Sequence, residues 1–392
     1  MKEWKKYRIG DICKTNTSQY SPKEGWDEFL YLDTGNITRN TIDEIARYSS
    51  TAELPSRARR KVISDDIIFS TVRPNQCHFG ILSNPPANLL VSTGFTVITA
   101  NKEIVDSYYL YYYLTQDSIV DYLHSIGEQA VSAYPSIKAQ DIEDLEIVLP
   151  DLSTQNNIAK TLRALDKKIQ LNRQINDNLE QQAQNIFNHY FIESQTELGP
   201  YSEGFLTDIA VYLNGLAMQK FRPEGSDSGL PVLKIKELGQ RSCDNNSDRC
   251  SSAIKDEYIV NDGDVIFSWS GTLLVDLWCG GKCGLNQHLF KVTSDSYPTW
   301  FFYFWTKHHL DNFIRVAKDK AVTMGHIKRT ELEKANVIIP SQEKLSEIDN
   351  ILSPIIDGII THRIEIRRLA QLRDTLLPEL MSGELKINEI DC

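Results

Sequence analysis

The sequence predicts an α+β fold in which two β-rich domains are separated by two long antiparallel α-helices. The helices pair as a coiled-coil spacer, and an internal pseudo-twofold repeat relates the halves. Three observations lead there. The chain repeats itself: Val148-Leu149-Pro150 returns as Ile338-Ile339-Pro340, 190 residues on. At the same offset Ile137-Lys138 matches Ile327-Lys328 and Ile142 matches Leu332, while Ala130-Val131 matches Ala321-Val322 with a shift of one residue. Asp66-Ile67-Ile68-Phe69-Ser70 returns as Asp264-Val265-Ile266-Phe267-Ser268 at an offset of 198, and Asp11-Ile12 as Asp208-Ile209. A collinear repeat with a drifting offset is one architecture written twice, with insertions. Second, each copy opens with short β-branched and aromatic runs broken by Gly, Pro, Asn and Asp. Third, each copy closes on a polar stretch carrying one apolar seam at helical spacing.

Residues 1–150 form the first β-rich domain, with runs such as Phe29-Leu30-Tyr31-Leu32. One helix is expected within it, near 108–123, carrying Tyr108-Tyr109-Leu110-Tyr111-Tyr112-Tyr113. The second domain, 196–340, carries the matching helix near 300–314, with Trp300-Phe301-Phe302-Tyr303-Phe304-Trp305. Base stacking is one use for such rings. Packing of an aromatic helix face on a sheet is favoured here, because both runs hold equivalent places within a helical pattern.

Residues 151–195 form the first long helix: Ile158, Leu162, Leu165, Ile169, Leu179 and Ile186 recur at steps of three, four and seven or their sums, with neither Gly nor Pro from Ser153 to Phe191. Some forty residues at 1.5 Å each make a rod of roughly 60 Å. In the second helix, 341–386, apolar residues stand at all six positions 190 further on: Ile348, Leu352, Ile355, Ile359, Leu369 and Leu376. Pro354 and Gly358 lie inside this helix and are expected to kink it. A chain that goes out along one rod and returns along the other pairs them antiparallel. A twofold-related pair of domains suits duplex DNA, whose backbone has local dyad symmetry.

Composition bounds the rest. The 392 residues carry 42 Lys+Arg against 53 Asp+Glu, a formal net charge of −11, with 41% hydrophobic and 24% charged residues. That is an ordinary soluble composition, too acidic to coat nucleic acid through bulk charge but compatible with local basic patches. No apolar run reaches the roughly 18–20 residues of a membrane span. Met1-Lys2-Glu3-Trp4-Lys5-Lys6 lacks the apolar core of a signal peptide, so a cytoplasmic protein is expected. Among the seven cysteines only Cys279 and Cys283, with His288 nearby, approach a metal-binding spacing. They lack the second close pair of a structural zinc site, so reduced thiols and no metal are expected.

The chain also lacks the marks of a catalyst. Asn84-Pro85-Pro86-Ala87 approaches an amino-methyltransferase motif, but Ala87 cannot stack on a flipped base and no Gly-rich cofactor turn accompanies it. Pro150-Asp151 with Asp166-Lys167-Lys168 mimics a nuclease triad, yet its second element falls inside the long helix, where the carboxylates do not converge on one Mg²⁺. No phosphate-binding loop is present.

Several segments together resemble the specificity (S) subunit of type I restriction-modification enzymes. They are Trp4…Ile9-Gly10-Asp11-Ile12, the paired Asp-x-Ile-Phe-Ser strands, and Leu149-Pro150-Asp151-Leu152-Ser153-Thr154-Gln155 leading into the first helix. Ile186-Phe187-Asn188-His189-Tyr190-Phe191, Leu376-Leu377-Pro378-Glu379-Leu380-Met381-Ser382-Gly383-Glu384-Leu385, Gly94-Phe95 and Asn286-Gln287-His288-Leu289-Phe290 complete the likeness. The junction Pro340-Ser341-Gln342-Glu343 is shorter than its counterpart, a departure from the pattern. The resemblance implies two target-recognition domains, each reading one half of a bipartite double-stranded DNA target. It implies that the helices set the half-site spacing and dock two methyltransferase (M) subunits, with motor-nuclease (R) subunits joining for restriction. Catalysis, S-adenosylmethionine, ATP and Mg would then belong to those partners, leaving this chain a non-catalytic subunit without a cofactor. A helical assembly or adaptor protein without nucleic-acid binding is the alternative, and a truncated or fused DNA-modifying enzyme a third reading.

The candidate DNA-binding residues lie in basic and amide-bearing loops. Arg57, Arg59, Arg60 and Lys61 form the densest basic cluster, suited to phosphates. Arg39, Arg73, Asn75 and Gln76 carry side chains able to read base edges. Lys220, Arg222, Lys234 and Lys236 take the equivalent part in the second domain, where Trp269 stands in a Ser-rich turn. Gln129 and Ser132, with Lys320 and Thr323, lie in the matched loops after the aromatic helices.

Overall fold

The computed structural model describes residues 4–129, 134–319 and 325–386. Two compact units emerge: Met1–Lys167 with Gln371–Cys392, and Lys168–Ala370.

In the first unit, β1 (Lys5–Arg8) pairs antiparallel with β10 (Glu146–Leu149), joining the first described strand to the one that precedes the long helix. Between them lie β2 (Cys13–Thr15), β3 (Phe29–Leu32), β4 (Ala46–Tyr48), β5 (Ala58–Lys61), β6 (Asp66–Ser70), β7 (Phe79–Leu82), β8 (Leu89–Ser92) and β9 (Phe95–Ala100). They make two four-stranded sheets, ordered β4-β3-β8-β5 and β2-β9-β6-β7. β6 reads Asp-Ile-Ile-Phe-Ser and is buried throughout, as a strand covered on both faces should be.

The expected aromatic helix is two helices, α1 (Ser107–Leu114) and α2 (Asp117–Gln129). Asp106 caps α1 by accepting from the Tyr108 and Tyr109 N–H groups at 3.0 and 2.9 Å. The break falls at Thr115, whose hydroxyl donates to the Tyr111 carbonyl. α1 is mostly buried and α2 only along Val120, Leu123 and Gly127, so one straight helix would carry the polar residues of α2 into the core. Tyr109, Tyr111 and Tyr112 are buried in the core, so these rings pack rather than stack on a ligand.

The second unit repeats the plan. β11 (Tyr201–Phe205) pairs antiparallel with β20 (Asn336–Pro340). The intervening strands are β12 (Val211–Asn214), β13 (Leu230–Leu233), β14 (Arg249–Cys250), β15 (Ile259–Val260), β16 (Val265–Ser268), β17 (Leu274–Leu277), β18 (Cys283–Leu285) and β19 (Leu289–Thr293). Their sheets are ordered β14-β13-β18-β15 and β12-β19-β16-β17, strand for strand the orders of the first unit. Even the parallel pair recurs, β3 with β8 and β13 with β18. The second aromatic run likewise splits at His309, and Trp300 to Trp305 are all buried.

Two long helices complete the chain, α3 (Leu152–Asn188) and, after the two short helices Thr299–His308 (α4) and Leu310–Asp319 (α5), α6 (Gln342–Ser382). α6 runs unbroken through Pro354 and Gly358. The helices pair antiparallel within each unit. In the first, Arg373 donates to Asp166 at 2.7 Å, and Ile158 and Leu162 share a cluster with Leu377, Leu380 and Met381. In the second, Asn172 donates to Glu365 at 2.7 Å and Arg363 to Glu180 at 2.6 Å. Of the expected seam, Ile158, Leu162, Ile169, Ile348, Leu352 and Ile359 are buried, while Leu165, Leu179, Ile186, Ile355, Leu369 and Leu376 are half-buried. The seam faces more than a partner helix. Ile158 and Leu162 also pack with the Tyr109–Tyr112 core, and Ile348, Leu352 and Ile359 with Phe187, Phe191 and the Trp300–Trp305 run. Each unit therefore holds part of both helices, where the sequence suggests four consecutive segments.

Candidate nucleic-acid interface

Each β-rich domain crosses several times between its two four-stranded sheets, and the shortest crossing is a tight turn. In the first domain it is Thr93-Gly94, between β8 and β9. The Thr93 N–H donates to the Arg57 carbonyl at 2.9 Å, and the Thr71 N–H to the Gly94 carbonyl at 2.8 Å. The turn thereby gathers Arg57, at the mouth of β5, and the loop that follows β6. In that loop Arg73 has a left-handed backbone (φ 46°), and its guanidinium lies 4.8 Å from the centre of the Tyr134 ring. It leads into a helical turn, Pro74–Gln76, that exposes Asn75 and Gln76. Arg39 joins them, its N–H donating to the Cys77 carbonyl at 2.9 Å and its guanidinium to Asp117 at 3.1 Å. Gln129 is exposed at the end of α2.

The densest basic cluster divides. Arg57 and Arg59 are exposed; Arg57 lines a pocket of about 350 Å³ with Tyr31, Asp33 and Tyr48, and the Arg59 Nε donates to the Ser56 carbonyl at 2.9 Å. Arg60 instead turns inward, donating to the Asn16 side chain and to the Phe95 carbonyl, and burial lowers its pKa. Lys61 pairs with Glu24 at 2.6 Å and lies over the Trp26 ring. Of the four, Arg60 is the one that strand alternation turns inward, and Lys61, like Lys234 in the other domain, is paired with a nearby carboxylate.

In the second domain the matching turn is Asn286-Gln287-His288, between β18 and β19. It is held like its counterpart: the Trp269 N–H donates to the His288 carbonyl at 3.4 Å and the Asn286 N–H to the Leu233 carbonyl at 3.2 Å. Beside it opens a groove of about 860 Å³ lined by four cationic side chains, Arg222, Lys234, Lys236 and Arg249, against one carboxylate, Asp248. A chain of net charge −11 thus concentrates positive charge on one surface. Lys234 bonds Asp248 and holds its carboxyl below the ordinary value; Lys236 lies 3.6 Å from Asp244. Arg249 clamps the Ser228 and Gly229 carbonyls at 2.7 Å each. Lys220 is exposed near the groove sequence but does not line it. Trp269 donates from its ring N–H to Asn214 at 3.0 Å, its ring beside His288 and Phe290. Ser132, Lys320 and Thr323 lie outside the described residues.

Both pockets sit at the same place in the repeat, over β3 and β4 in one domain and β13 and β14 in the other. Sequence reasoning found Arg57, Arg222, Lys234 and Lys236 there and missed Gln219, Arg249, Gln287 and His288. The signal was present: Asn286-Gln287-His288 precedes Leu289-Phe290 as Gly94 precedes Phe95.

Comparison with known proteins decides the family. The type I restriction modification DNA specificity domain matches twice, over residues 1–181 and 200–369. The chain belongs to the type I restriction-modification specificity family. The specificity subunit of the type I restriction enzyme HindI from Haemophilus influenzae is 23% identical across 98% of this chain and 100% of its own length. That of the enzyme MjaIX from Methanocaldococcus jannaschii is 24% identical across 99% and 95%. The fold is shared with the crystallised S subunit of a type I restriction-modification system from M. genitalium, at a TM-score of 0.58 and 13% identity, with 96% of each chain covered. Among the described residues no helix is long and apolar enough to cross a membrane.

Proposed function

We propose that this specificity subunit reads a bipartite duplex sequence, one half through residues 1–150 and the other through 196–340. The carrying observation is that both domains have the same sheet order and present the same inter-sheet turn, flanked by Arg57 and Arg73 in one and by the cationic groove in the other. Cations neutralise phosphates and fix position; amides and guanidinium groups read base edges. The helices, 151–195 and 341–386, set the distance between half-sites and dock two methyltransferase subunits, with motor-nuclease subunits joining for restriction. Extrusion of the target adenine, S-adenosylmethionine, ATP and Mg belong to those partners, and this chain acts in the cytoplasm without a cofactor of its own.

A gel-shift series tests this against an adaptor that binds no DNA. Salt-sensitive binding to duplex, strengthened by the methyltransferase, is expected. No binding at low salt with that partner present overturns it. Deleting one turn from each long helix should shorten the preferred spacer without changing the bases read; an unchanged spacer in methylome sequencing removes the helices' role as a ruler.

A further inference from the structure

We infer that Gln287, at the centre of the inter-sheet turn of the second domain, reads a base edge, adenine by preference, in the half-site that domain recognises. The inference rests on the DNA-reading function proposed above and assigns it to a side chain.

Position comes first. The turn 286–288 is the shortest of the connections between the two four-stranded sheets of its domain, and backbone bonds from Trp269 and to Leu233 fasten it on both sides. Gly215 closes against it: a Cβ there would lie 2.2 Å from the Asn286 carbonyl oxygen. A side chain carried on so constrained a turn has little freedom to lose on binding, which suits a base reader.

Chemistry comes second. Gln287 and His288 line the groove with four cations, so a bound phosphodiester backbone would bring base edges near its amides, of which Asn286 is buried and Gln287 and Gln219 are the more accessible. The Gln287 Oε1 is buried and accepts no hydrogen bond, and its Nε2 makes only a 3.4 Å contact with the His288 Nε2, so turning the side chain into the groove breaks no short bond. A buried acceptor without a donor is costly, and in the turned position an exocyclic base amine supplies one. A carboxamide matches the adjacent N6–H donor and N7 acceptor of adenine with two hydrogen bonds.

The first domain provides the contrast. Its turn is Thr93-Gly94, and a Cβ on Gly94 would stand 2.9 Å from the Thr34 methyl group, so no side chain extends from that point. Reading there passes to the flanking Arg57, Arg73, Asn75 and Gln76. The two half-sites are therefore read by different chemistry on one scaffold, a central amide in one and flanking guanidinium and amide groups in the other.

The test is methylome sequencing of cells carrying the assembled complex with wild-type chain, Gln287→Ala or Gln287→Asn, each purified chain also checked by thermal melting. Gln287→Ala should relax one position of one half-site, with discrimination there falling about tenfold or more, and leave the other half unchanged. Gln287→Asn, with a shorter amide, should lower discrimination at that same position, and it decides the matter should Gln287→Ala fail to fold. A folded variant with an unchanged motif, or one that alters both halves, overturns the assignment of Gln287 while the two-domain function stands. A wild-type complex that methylates without sequence preference overturns the DNA-reading function itself.

Discussion

Arg363 on α6 ties β17 of the second unit to α3. Its side chain is 7% exposed and makes three short bonds: to Asp276 at 2.8 Å and the Leu277 carbonyl at 2.7 Å on β17, and to Glu180 at 2.6 Å on α3. Burial alone would lower the guanidinium pKa, but the two carboxylates outweigh it and push it up. Replacing Arg363 with Met keeps much of the apolar stem and removes the charge, leaving Asp276, itself 5% exposed, with Arg241 at 2.6 Å. Removing one partner of a buried ion pair costs about 3–5 kcal/mol, and the surviving Arg241 bond places the loss near the lower figure, about 3 kcal/mol. For a unit the size of Lys168–Ala370 that lowers the melting temperature by about 6–12 °C. Calorimetry on Arg363→Met, Glu180→Gln and the double variant measures it, with a coupling of about 1 kcal/mol or more expected between the two positions. A loss under about 1 kcal/mol with no coupling would refute the reasoning.

Further outcomes follow from the same geometry. Gly215→Ala places a Cβ against the Asn286 and Leu285 carbonyls at 2.2 and 2.4 Å, so it should cost about 1–3 kcal/mol in denaturant titration and disturb recognition of the second half-site alone. Asp262 is held below its ordinary pKa, first by its hydrogen bond from Arg367. Its contribution is present above the unfolded value of 3.8 and fades as pH falls through the lower folded value. The stability gap between wild type and Asp262→Asn should therefore shrink on acidification; a gap that widens contradicts the pairing. Arg222→Ala should reduce the salt slope of duplex binding by about one and weaken all sequences alike.

The sequence carried much of this fold because repetition is visible without any pairing being known. The match of Asp66–Ser70 with Asp264–Ser268 located the two buried central strands, and the Ile158–Ile186 and Ile348–Leu376 seams located both long helices. What sequence could not supply was pairing between distant segments. Nothing local announces that β8 runs parallel to β3 or that β9 pairs with β6, and those pairings put the two strands flanking the turn in different sheets. The basic cluster divides for the same reason. Arg57, Arg59, Arg60 and Lys61 are neighbours in sequence, but alternation on β5 turns Arg60 toward Asn16, and Lys61 pairs with Glu24. α6 stays helical through Pro354, where its packing against the Trp300–Trp305 core supports it.

The central claim is that each domain dictates one half of the target independently. Its most direct test exchanges residues 196–340 for the matching domain of another family member and maps methylation by genome-wide sequencing. A hybrid motif is expected: one half-site replaced, the other retained base for base, with the spacer unchanged. A motif unaltered by the exchange, or altered in both halves at once, would contradict it.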